Sequence, residues 1–64
     1  MTDYKPFVGR RVVVGTTESV VSGTLDRAGR TTLQLVNAMD VGSQKPVDGV
    51  LVVPESQVLW VQVP

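Results

Sequence analysis

Few groups in this chain can do chemistry. There are Ser and Thr hydroxyls, six carboxylates, Lys5 and Lys45, and four arginines, with no histidine and no cysteine. A nucleophilic Ser or Thr needs an adjacent base, and no imidazole is present to serve as one. Lys5 and Lys45 each precede a proline in segments that read as surface. A paired-carboxylate site needs two acids brought together, yet Asp26, Asp40, Asp48 and Glu55 all fall at the ends of candidate strands, where turn chemistry accounts for them. The acids do not cluster as metal ligands, and the glycines match no phosphate-cradling fingerprint. The expectation is a protein that is not an enzyme and uses no cofactor or metal. One cluster remains, Arg27 and Arg30 with Thr31. Guanidinium forks suit phosphate oxygens and stack on bases. The plainer alternative is that Arg27 pairs with Asp26 or a nearby acid and merely solubilises a hairpin tip.

The elements that must hold this cluster are strands. Valine is the commonest residue and threonine is frequent; β-branched side chains suit a pleated surface and lose rotamer freedom in a helix. Gly, Pro, Asn and Asp divide the chain into five runs, over residues 10–16, 19–26, 31–40, 49–53 and 58–63. Short strands at this spacing predict a small barrel or sandwich. Pro6 rules out a long helix at the start, so a single turn is expected there, packing Phe7 over a barrel end, with Gly9 permitting the bend into the first strand. Residues 15–18 and 27–30 are hairpin-sized connections, the second with Gly29 free to take a positive φ. Residues 41–46 read as a longer polar loop, and residues 54–57 as a tight turn entered through Pro54.

Alternation assigns the faces. Val21, Gly23 and Leu25 share one side of the second strand, and Leu33 and Leu35 one side of the third. Gly23 in mid-strand costs stability unless the backbone bends or is closely approached there, and a sharp bend is what a small barrel requires. The last two runs break the pattern. Val50 to Val53 and Val58 to Val61 are apolar at successive positions, which implies burial on both faces. Sixty-four residues form one domain, 1–64, with no second layer to cover an outer face. A chain this short buries only about 60% of the surface its unfolded form exposes, and exposed strand edges invite another chain. A neighbouring copy is therefore the expected cover, with the first segment or a loop of the same chain as the alternative. Trp60, between Leu59 and Val61, is read as core or interface packing rather than as a base platform.

Formal charge is zero, from six basic and six acidic residues. That argues against a polybasic coat for nucleic acid or membrane, though not against a local basic spot. No apolar run approaches the roughly 18 residues of a membrane-spanning helix, and the first residues carry no signal pattern. The expectation is a cytoplasmic protein with no membrane partner.

The residues Val20-Val21-Ser22-Gly23-Thr24-Leu25, followed by Leu33-Gln34-Leu35-Val36-Asn37-Ala38, resemble the first motif of the Sm-like family: apolar, bending Gly, apolar, loop, then alternating Leu. The stretch from Val52 to Val61 is similar to its second motif, two apolar strands joined by a very tight turn. The likeness covers residues 9–63. It implies a five-stranded, strongly bent small barrel, and assembly with copies of itself into rings of about five to seven, the fourth strand of one copy pairing with the fifth of the next. It also implies single-stranded RNA held near the pore by the loops between strands two and three and between strands four and five.

On that footing the RNA-binding residues are Arg27, Arg30, Thr31, Ser56 and Gln57, and the subunit-interface residues Val50, Val52, Leu59, Trp60 and Val61. In a ring, the arginines of every copy would add to one rim and make a strong local field despite zero net charge. This sequence departs from the family at two places. Gly29 stands near the loop's usual Asp, and Pro54-Glu55 replaces the usual basic residues of the tight turn. Compact Sm-like proteins also occur in phage genomes, which makes a viral source one expectation. The alternative function is a structural, oligomerising barrel or protein scaffold that binds no nucleic acid.

Overall fold

Three consecutive valines make a strand before any packing is considered, and in the structure they form the centre of β1, Arg11–Thr16. The structure is a computed structural model and describes residues 3–64, so the first two positions of the expected domain lie outside the described residues. The remaining strands are β2 (Val20–Ala28), β3 (Thr32–Asp40), β4 (Lys45–Val47), β5 (Leu51–Pro54) and β6 (Val58–Gln62). A 3-10 turn over Lys5–Phe7 precedes β1, and another over Glu55–Gln57 joins β5 to β6. Among the described residues, no helix is long and apolar enough to cross a membrane.

All pairings are antiparallel, in the order β4-β3-β2-β1-β6, with β5 also on β3. The sheet curls around one core made of Val12, Val14, Val21, Leu25, Leu33, Leu35, Ala38 and Val53. Fully burying a side chain of this size contributes roughly 1.5–3 kcal/mol. The expected inward residues of β2 and β3 are therefore inward. Tyr4 and Phe7 pack against the same core from the N-terminal turn, as expected for Phe7. Gly9, at φ +90°, makes the bend into β1, and its N–H donates to the Leu25 carbonyl at 2.7 Å.

The bend of the sheet is written in β2 and β3. Ser22 pairs with Met39 and Thr24 with Val36, so β3 carries one residue more than β2 across that step. Within it, Asn37 takes a left-handed φ of 50°. The extra residue with αL backbone is a bulge, which kinks and twists a strand. β3 consequently serves two partners: Ala38 to Asp40 pair with β4, and Thr32 to Leu35 with β5. Gly23 lies opposite the kink. A Cβ there would come within 3.1 Å of the Ala38 Cα and the Val36 carbonyl oxygen, so its role in a close approach is met.

Four expectations are corrected. There are six strands rather than five, because part of the expected 41–46 loop extends into β4; Pro46 is tolerated there because β4 is an edge. The β2–β3 connection is shorter than residues 27–30. Arg27 pairs with Gln34 and Ala28 with Leu33, leaving only residues 29–31 as the loop. Gly29 does not take a positive φ; the positive-φ glycines are Gly9 and Gly49. Its N–H instead closes the loop on the Thr32 carbonyl at 2.9 Å. Finally, Gly15 belongs to β1 and not to the turn, paired with Trp60. The β1–β2 turn is held by the Thr16 hydroxyl, which donates to the Ser19 carbonyl at 2.9 Å and accepts the Ser19 N–H at 3.0 Å.

Candidate nucleic-acid interface

The β2–β3 loop and the β5–β6 turn meet at one end of the sheet because β5 lies beside the start of β3, with Thr32 paired to Pro54. One residue further out on each side, the Glu55 N–H donates to the Thr31 carbonyl at 2.8 Å. This bond fixes two connections that are far apart in the chain. Beside it lies a cleft of about 520 Å³ lined by Arg30, Thr31, Thr32, Pro54, Glu55 and Ser56. Arg30, Thr31 and Ser56, expected to act together, are thus brought together.

Arg27 and Gln57 are placed differently. Arg27 sits at the end of β2 and lines a second, larger cleft of about 800 Å³ on the other side of the loop, with Asp3, Tyr4, Lys5, Ala28, Gly29, Arg30 and Thr31. Gln57 lies at the far end of its 3-10 turn, where its carbonyl accepts the Thr17 N–H at 3.1 Å. Arg30 and Thr31 border both clefts. Arg27 and Arg30 are exposed, and the arginine side-chain hydrogen bonds of the described residues belong to Arg10 and Arg11 instead.

The two clefts differ in charge. The smaller holds Arg30 against Glu55. The larger holds Lys5, Arg27 and Arg30 against Asp3. Tyr4 and Lys5 were not among the residues expected to bind. The available signal was an adjacent aromatic–basic pair, but Pro6 and the weak patterning of the segment suggested packing alone.

The expected interface residues lie on or beside two of the sheet's edge strands, β5 and β6. β5 pairs only with β3 and β6 only with β1, so each keeps one unpaired side within the chain. Val50, Val52, Leu59 and Trp60 are all exposed, Leu59 most of all at 66%. Val61 is half-buried against the core. The apolar run in β6 has a local cause: Gly15 pairs with Trp60 but Thr16 with Val58, which leaves Leu59 as a bulge. Val58 and Val61 consequently both pack on the core while Leu59 and Trp60 stay exposed.

A small, strongly bent, antiparallel β-barrel with open edge strands and joined loops at one end defines the class. No family model and no curated protein sequence matches the chain. Among solved structures, the chain is similar to an Sm-like protein, AF-Sm2, from Archaeoglobus fulgidus, with a TM-score of 0.76 and 26% identity, over 94% of this chain and 87% of that one. The chain has the Sm-like fold.

Proposed function

We propose that the chain assembles with copies of itself into a ring and holds single-stranded RNA at the joined β2–β3 and β5–β6 connections. The observation that carries this reading is the Glu55–Thr31 backbone hydrogen bond, which gathers Arg30, Thr31 and Ser56 around one cleft. A guanidinium with two hydroxyls offers a phosphate contact and hydrogen bonds to sugar or base edges. Arg27 adds charge from the adjacent strand end. The open edges of β5 and β6, with Val52 on one and Leu59 and Trp60 on the other, support closure through neighbouring copies. The Sm-like fold supports the same reading.

Mass in solution at micromolar concentration, followed by titration of poly-U and poly-A, tests it. The expected result is an oligomer that binds with a steep salt dependence, since phosphate contacts release counterions. Replacing Arg27 and Arg30 together by Ala should weaken binding and flatten that dependence while the mass stays unchanged. An oligomer with no affinity for either polymer at low salt would select the scaffold reading instead. A lone protomer would overturn the ring.

A further inference from the structure

The smaller cleft carries an acid where a chain of phosphates asks for cations. Glu55 lines it together with Arg30, Pro54 and Ser56. Two backbone hydrogen bonds fix the residue. Its N–H donates to the Thr31 carbonyl at 2.8 Å, and its carbonyl accepts the Val58 N–H that closes the 3-10 turn. Glu55 is half-buried. Among the described residues, no side-chain hydrogen bond uses its carboxylate or the Arg30 guanidinium. A carboxylate accepts hydrogen bonds and does not donate them. The cleft therefore holds a pair of acceptor oxygens, on an anchored backbone, that the fold itself leaves unused.

The ligand must bring the donors. Phosphate oxygens are acceptors and share the sign of charge of Glu55, so they go to Arg30, whose fork suits them. The bases differ at their Watson–Crick edges. Guanine presents an N1–H and an N2 amino group side by side, spaced to meet both oxygens of one carboxylate. Adenine and cytosine each present one amino group beside a ring nitrogen that accepts. Uracil presents one N–H between two carbonyls. Guanine alone gives the carboxylate two charge-assisted hydrogen bonds with no lone pair facing it. The volume of about 520 Å³ lies within the roughly 300–1,000 Å³ of small-molecule sites, so a base and its phosphate fit together.

We propose that Glu55 reads guanine at the smaller cleft: its carboxylate accepts the N1–H and the N2 amino group of one guanine base while Arg30 holds the flanking phosphate. This base preference rests on the RNA-binding reading above and makes Glu55 the residue that sets specificity.

The test uses the full chain at low salt with uridine heptamers that carry guanosine, inosine, adenosine or cytidine at the centre, or no replacement. Single replacements avoid the self-association of guanine runs. The guanosine heptamer should bind roughly tenfold tighter than the all-uridine one. Inosine lacks the N2 amino group and should lose most of that gain, a comparison that needs no variant protein. Glu55→Gln keeps the shape of the side chain and the backbone bond to Thr31, and should bring guanosine and uridine to within about twofold of each other. Arg30→Ala should weaken every heptamer alike. If guanosine and inosine bind equally, or Glu55→Gln retains the guanosine gain, the guanine reading is overturned and RNA binding at the cleft stands. If no heptamer binds, both readings fall together.

Discussion

The indole of Trp60 occupies the space where Gly15, its partner across β1 and β6, would otherwise carry a side chain. A Cβ on Gly15 would come within 2.5 Å of the ring's Cζ2 and Nε1. Glycine inside a strand costs roughly 0.5–1 kcal/mol relative to alanine. Here the aromatic ring covers the bare backbone in compensation, while 46% of Trp60 remains exposed.

Gly15→Ala should displace that ring. The expected cost is about 1–3 kcal/mol, as for other overpacked sites. Trp60 is the chain's single tryptophan, so its fluorescence reports the change without interference. Emission should shift to the red as the indole moves into water. An unchanged spectrum and melting temperature would contradict the packing described.

Gly23→Ala tests a closer constraint, because the atoms met are backbone. The added methyl would lie 3.1 Å from the Ala38 Cα and from the Val36 carbonyl oxygen, and the bulge would have to shift. Urea denaturation should show a loss of about 1–3 kcal/mol. Gly42→Ala serves as the control. Its nearest neighbour is the Asp40 Oδ1 at 3.4 Å, and the change should stay within about 0.5 kcal/mol.

Asn37 carries the left-handed backbone of the β3 kink, at φ 50°. Asn37→Gly should be tolerated, since glycine visits this region freely. Asn37→Val should cost about 1–2 kcal/mol, because a Cβ-branched residue crowds its carbonyl there. Equal stabilities for the two variants, measured by thermal melting, would mean that the kink is not held by this residue.

Charging the open edges separates assembly from folding. Val52→Lys and Leu59→Glu alter side chains that are 51% and 66% exposed in the single chain. Each should change the stability of the protomer by no more than about 0.5 kcal/mol. In the proposed ring each would bury an unpaired charge, and sedimentation should show smaller species. Retention of the full oligomer by both variants would place the contacts elsewhere on the molecule.

Much of the fold is legible in the residues themselves. Valine-rich runs, period-two alternation at Val21/Leu25 and Leu33/Leu35, and glycine and proline punctuation are local signals, and each reports backbone preference or a single buried face. They were enough for the strands around the core, the bend at Gly23 and the turn at Pro54. The sequence also put Arg30, Thr31 and Ser56 in connections, though their meeting was inferred from resemblance.

Tertiary pairing decided the rest. Lys45-Pro46-Val47 has no strand signal of its own and becomes β4 only because the end of β3 offers it a partner. Gly15 reads as a turn residue until Trp60 is laid across it. The run Val58 to Val61 reads as buried on both faces until a bulge turns Leu59 out and brings Val58 and Val61 both against the core. The cleft that joins Tyr4 and Lys5 to Arg27 and Arg30 arises because the N-terminal turn is tied to β2 through Gly9. Local sequence specifies which backbone a segment prefers. Which segment completes its hydrogen bonds, and which side chains then share a cavity, depends on partners elsewhere in the chain, from Asp40 beside Lys45 to Gly15 beside Trp60, and only the folded chain supplies them.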